Sequence, residues 1–126
     1  MKLQTPLAKV RGLGSAKQGI QHWWQQRLTA ILLIPLSLWL TAALISMTTM
    51  DYVAITEWLK APINATLLIL FVTALFHHAQ LGMQVVIEDY VESEWQKITG
   101  LVLVKFLALF AGLVSVLAIL KIFMGL

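Results

Sequence analysis

The chain has 126 residues, 60% of them hydrophobic and 12% charged, far from the ~25% charged fraction of a soluble domain. It has no cysteine, which excludes disulfides, Cys-ligated iron–sulfur clusters and cysteine nucleophiles. The net charge of +3 is weighted toward the N-terminus and reads as a topology signal, not as a nucleic-acid surface.

Three runs exceed the ~18 apolar residues that mark a transmembrane candidate. They predict an all-α integral membrane protein with one domain, residues 1–126, and three transmembrane helices. Residues 1–27 hold Lys2, Lys9, Arg11, Lys17 and Arg27 and no acidic residue, so they read as a basic cytoplasmic arm that fixes the N-terminus inside. Within it, residues 12–19 are small and polar and read as a loop. They are not a dinucleotide fingerprint, because Lys17 stands at the third glycine position and no strand precedes them.

The first span covers about 28–49, with Trp23, Trp24 and Arg27 at its entrance as interfacial anchors and Pro35 inside it as a source of a mild kink. Residues 50–62, with Asp51, Glu57, Trp58 and Lys60, suit a short outside loop. A second span at about 63–87 would be about 37 Å long at ~1.5 Å per residue, longer than a ~30 Å hydrocarbon core. It therefore tilts or projects. The loop that follows holds Glu88, Asp89, Glu92, Glu94, Trp95 and Lys97. Counting from an inside N-terminus makes it cytoplasmic, and its acidity hints at a protein contact. The third span covers about 98–123 and leaves the C-terminus periplasmic. Lys105 and Lys121 snorkel from it, and Gly100, Ala108, Ala111, Gly112 and Ser115 allow close helix approach.

Candidate chemistry gathers in residues 77–90. Residues three, four, seven and eleven apart share a helix face, which gives two polar stripes. One comprises Ala74, His78, Leu81, Gly82, Val85 and Asp89. An imidazole with small residues a turn before and a turn after it suits a flat macrocycle, and neutral imidazole is a normal haem axial ligand. The other stripe, His77, Gln80, Gln84 and Glu88, offers hydrogen bonds to a neighbour. Asp89 lies about 16 Å beyond His78 at ~1.5 Å per residue. With Asp89 at the cytoplasmic interface, His78 sits near mid-membrane, so the two are separate sites. The hydroxyl of Tyr90 can donate to a carbonyl such as a quinone headgroup presents. The plainer readings stand beside these: an intramembrane histidine can serve only to tie helices together, and a tyrosine at a span end is ordinarily an aromatic-belt anchor.

The segment His78-Ala79-Gln80-Leu81-Gly82-Met83, followed by Asp89-Tyr90-Val91, resembles the second helix of the D-type hydrophobic membrane anchor of succinate dehydrogenase, respiratory complex II. The segments Gly12-Leu13-Gly14-Ser15-Ala16-Lys17 and His22-Trp23-Trp24-Gln25-Gln26-Arg27-Leu28-Thr29-Ala30 look like its proteobacterial form. The resemblance implies a multi-pass subunit of the bacterial inner membrane. Its partners would be a C-type anchor, an iron–sulfur subunit, a flavoprotein subunit and membrane lipid, and its complex would link the tricarboxylic acid cycle to the respiratory chain. It further implies that His78 is one axial ligand of haem b, with the C-type subunit supplying the other. Ala74 and Gly82 would flank the haem, Arg27 would lie near the haem propionates or the quinone pocket, and Tyr90 and Asp89 would serve ubiquinone. His77 leaves the ligand ambiguous by one residue, and His22 has no secure role. The chain would hold no succinate or flavin site of its own. The alternative from a different class is a small structural membrane protein or a transporter without haem. The absence of any Asp or Glu inside a span argues against proton-coupled transport.

Overall fold

The computed structural model describes residues 5–12 and 17–126. Among them there is no strand, and five helices follow one another: α1, Pro6–Val10; α2, Lys17–Met47; α3, Tyr52–Lys60; α4, Pro62–Tyr90; α5, Glu94–Phe123. Three of these contain apolar stretches of membrane-spanning length, Gly19–Met47, Pro62–Tyr90 and Glu94–Phe123. The all-α, three-span expectation therefore holds.

Several boundaries differ from the sequence reading, each for a local reason. Residues 17–27, expected in the arm, are the first turns of α2. Gln18, Gln21, Gln25 and Gln26 are good helix formers, and polarity alone does not break a helix. The expected loop at 12–19 is described only at its ends: Gly12 adopts φ +66, and residues 17–19 are helical. Its centre, residues 13–16, lies outside the described residues. The helix runs unbroken through Pro35.

Residues 50–62, expected as a loop, contain the nine-residue helix α3. Asp51 caps it by accepting a hydrogen bond from Ala54 N at 2.8 Å, the preferred role of aspartate at that position. Pro62 separates α3 from α4, because the residue before a proline is steered out of helical geometry. Ala61 accordingly lies at φ −64, ψ 125. Trp58 stacks on Trp39 of α2, with ring centroids 5.7 Å apart and planes at 22°. The Trp58 carbonyl also accepts from Asn64 Nδ2 at 2.9 Å. The expected acidic loop shrinks to residues 91–93: Glu88 and Asp89 finish α4, and Glu94, Trp95 and Lys97 begin α5.

The central helix is α4, which packs against both α2 and α5. Among the described residues the buried side chains are few, and half of them are alanine: Leu36, Ala43, Ala65, Ala74, Leu81 and Ile87. Helices in lipid gain nothing by hiding apolar surface from one another, so association relies on close approach at small residues. A Cβ added to Gly100 of α5 would meet Ile87 Cδ1 at 3.4 Å, and one added to Gly112 would meet Phe76 Cδ2 at 3.8 Å. These two meeting points set an antiparallel α4–α5 seam. The outer faces of α2 and α5 stay exposed, as surfaces for lipid or for other subunits.

Candidate functional site: a polar seam between the first and second spans

The inward face of α2 repeats every seven residues, through His22, Thr29, Leu36 and Ala43. Leu36 and Ala43 are buried, and His22 and Thr29 are half-buried. One half of the stripe is thus apolar and the other polar. Gln26, one turn after His22, joins the polar half and is half-buried.

Facing it, α4 presents Ala74, His78 and Gly82. Thr29 Oγ1 lies 2.9 Å from His78 Nδ1. A Cβ built on Gly82 would come 3.7 Å from Gln26 Nε2, so glycine here lies directly opposite the Gln26 amide. The pairings of 29 with 78 and 26 with 82 run antiparallel and bring His22 level with about residue 86 by the ~1.5 Å rise of each helix. Ala74 lies on the same stripe as His78 and is only 6% exposed, packed within the chain itself.

Two atoms in this seam are unmet. His22 Nε2 and Gln26 Oε1 are buried and have no hydrogen-bond partner among the described residues. Leaving a buried polar atom unsatisfied costs about 1–3 kcal/mol, and such atoms in a native fold call for a partner from elsewhere. His78 differs: its Nδ1 is engaged, while its Nε2 has no partner among the described residues and is not enclosed as His22 Nε2 is. His78 is two residues from the midpoint of the 29-residue α4, residue 76.

His77 goes elsewhere. It lines a groove of about 230 Å³ between α4 and α5, together with Thr73, Phe76, Gln80 and Lys105. Further along the same stripe, Gln84 Nε2 donates to Glu88 Oε1 at 2.9 Å. Of the second stripe read from the sequence, His77 and Gln80 thus lie on the α5 side, and Gln84 and Glu88 pair with each other along α4.

Arg27 is exposed, with its guanidinium 5.3 Å from the centre of the Trp23 ring, and Trp23 packs edge-on against Trp24. By height Arg27 belongs with His78 and Gly82. Tyr90 is about nine residues further along α4, roughly 13 Å at ~1.5 Å per residue. Asp89 and Tyr90 are exposed in the last turn of α4, Tyr90 to 82%, and their side chains make no hydrogen bond or ion pair among the described residues. No basic residue lies in that turn. Carboxylates there face the negative end of the helix dipole, which favours a nearby cation.

Sequence reasoning overlooked Thr29 and Gln26. The seven-residue spacing from His22 to Thr29 was a signal for the first, and the one-turn spacing to Gln26 for the second. Among the described residues no three His, Asp or Glu side chains converge as a cage for a metal ion. What the α2–α4 seam offers near the middle of α4 is the open Nε2 of His78, with two unmet polar atoms, His22 Nε2 and Gln26 Oε1, along the same seam.

Three apolar helices of spanning length define a small multi-pass helical membrane protein. The family model for "Succinate dehydrogenase/Fumarate reductase transmembrane subunit" matches residues 1–114. The chain is 38% identical over 113 residues to the succinate dehydrogenase hydrophobic membrane anchor subunit of Rickettsia bellii (strain RML369-C), covering 90% of both chains. It is 38% identical over 100 residues to the same subunit of Rickettsia conorii, covering 79% of both. To the succinate dehydrogenase membrane anchor subunit of Reclinomonas americana it is 34% identical over 96 residues, 74% of this chain and 80% of that one. No solved structure gives a significant match. The chain belongs to the succinate dehydrogenase/fumarate reductase transmembrane subunit family, as a membrane anchor subunit of succinate dehydrogenase. The transporter alternative falls with that membership.

Proposed function

We propose that this anchor supplies one axial ligand of haem b and part of a ubiquinone site to a succinate:ubiquinone oxidoreductase. A C-type anchor, an iron–sulfur subunit and a flavoprotein subunit would complete the assembly in the bacterial inner membrane, with the N-terminus of this chain cytoplasmic and its C-terminus periplasmic. The observation that carries the reading is His78: half-buried near the middle of α4, with one ring nitrogen engaged and the other open.

The residues present fit a haem. His78 Nε2 would be the ligand atom. Ala74 would let α2 approach beside it, and Gly82 would keep the next turn slim. Arg27, at the same height, would meet a carboxylate such as a propionate, and the unmet His22 Nε2 and Gln26 Oε1 ask for polar partners along the same seam. When bound, the haem supplies a one-electron redox centre within the membrane.

The quinone half-site is Asp89 and Tyr90, one turn of exposed polar side chains at the end of a membrane-length helix. Tyr90 would donate its hydroxyl proton to a quinone carbonyl and hold the headgroup. Asp89 would orient the site through a cationic side chain of a partner, as its place at the negative end of α4 favours. Succinate oxidation and flavin chemistry would lie on other subunits.

The direct test is the optical spectrum of the complex purified with its partners. A b-type haem is expected in wild type and lost in His78→Ala. A complex without haem, or a His78→Ala complex with an unaltered spectrum, sinks the ligand assignment and leaves an anchor that carries no haem.

A further inference from the structure

We propose that Thr29 is a positioning residue for His78: its hydroxyl accepts the Nδ1 proton and so fixes the tautomer whose Nε2 lone pair is available to a metal. The inference rests on the haem reading above and adds a residue to it that lies on a different helix.

The argument is one of proton counting. A threonine hydroxyl has a single proton to donate and two lone pairs. Thr29 Oγ1 lies 2.7 Å from the carbonyl oxygen of Gln25, 3.1 Å from that of Gln26 and 2.9 Å from His78 Nδ1. A 2.7 Å separation is the usual length of an O–H···O bond. If the hydroxyl proton turned toward Nδ1, two oxygens would face each other at 2.7 Å with no proton between them. The proton therefore goes to the Gln25 carbonyl, shared with Gln26, in the back-bonding typical of a threonine inside a helix. The bond to His78 then runs the other way, with Nδ1–H donating to Oγ1. A neutral imidazole carries one ring proton, so Nε2 keeps its lone pair.

The helix makes this arrangement stiff. Back-bonding pins the Thr29 rotamer to its own backbone, and the α2–α4 seam at Gln26 and Gly82 holds the two helices in register. Donation from Nδ1–H also raises the basicity of the other nitrogen. A more basic ligand favours the oxidised iron and lowers its potential.

The experiment compares the purified complex carrying Thr29→Val, which keeps the shape without the hydroxyl, with Thr29→Ser, which keeps the hydroxyl. The readouts are the haem midpoint potential and the low-spin electron paramagnetic resonance signal. Thr29→Val is expected to move the potential positive and alter the signal, while Thr29→Ser matches wild type. Loss of haem in Thr29→Val with retention in Thr29→Ser supports the same conclusion. A Thr29→Val complex identical to wild type in both readouts overturns it. So does a Thr29→Ser complex displaced as far as Thr29→Val, or loss of haem in both. A wild-type complex with no haem spectrum overturns the parent reading as well, whereas a normal wild-type spectrum with a silent Thr29→Val overturns this inference alone.

Discussion

His77 and His78 are neighbours in the chain and face different seams of α4. His78 Nδ1 is 2.9 Å from Thr29 of α2, and His77 lines the groove toward α5 with Gln80 and Lys105. Successive helical residues are turned by about 100°, and α4 is the one long helix with a partner on each side. The ambiguity of one residue in the sequence thus becomes a choice between two seams, and among the described residues only the α2 seam carries unmet buried polar atoms.

His77→Ala should therefore leave the haem spectrum of the complex unchanged. Loss of haem in His77→Ala with retention in His78→Ala would move the ligand to the α5 side.

Tyr90→Phe should slow quinone reduction about fivefold, the worth of a hydrogen bond of roughly 1 kcal/mol at about 1.4 kcal/mol per decade of rate. Succinate oxidation by artificial acceptors should stay intact, because Tyr90 lies at the end of α4 and the proposed assembly puts the succinate site on other subunits. Unchanged quinone kinetics would remove the residue from that role.

Of the two glycines that face α4 across the α4–α5 seam, Gly100 and Gly112, Gly100 has the closer neighbour. At 3.4 Å from Ile87 Cδ1, an added methyl makes ordinary contact, so Gly100→Ala should keep wild-type stability. Gly100→Leu forces the helices apart and should cost about 1–3 kcal/mol. Denaturation of the purified complex in detergent checks both, and equal behaviour of the two variants would show that the seam does not depend on close approach.

Asp51→Ala removes the side-chain cap of α3 and should destabilise that helix by about 1 kcal/mol, against little change for Glu57→Ala. The Glu57–Lys60 pair is 3.1 Å long but exposed, and such pairs contribute little. Protection of the α3 amides against hydrogen exchange is the measurement.

Orientation is testable because the chain has no native cysteine. Thr49→Cys and Leu126→Cys should react with a membrane-impermeant maleimide from the periplasmic side, and Ser93→Cys only after permeabilisation. The reverse pattern would invert the proposed topology.

The three spans, the central polar stretch of α4 and the separation of His78 from Asp89 and Tyr90 were all legible in the sequence, because each depends on local hydropathy or on helical rise. The resemblance carried by His78, Gly82, Asp89 and Tyr90 agreed with the family that the comparisons show. The helix α3 was misread because charge suggested a loop, although the Asp51 cap and Pro62 boundary were there to be seen. The early start of α2 was missed for a similar reason, since a glutamine-rich turn is polar and helical at once.

Which faces meet was decided by tertiary structure alone. In these spans the side facing lipid and the side facing protein are both apolar, so periodicity does not announce the register between helices. Thr29 opposite His78, Gln26 opposite Gly82 and the turning of His77 toward α5 follow from that register. The sequence by itself determined a three-span membrane anchor with an imidazole near the middle of its second long helix. The packing of α2 on α4 decided which nitrogen of that imidazole is held and which is left open.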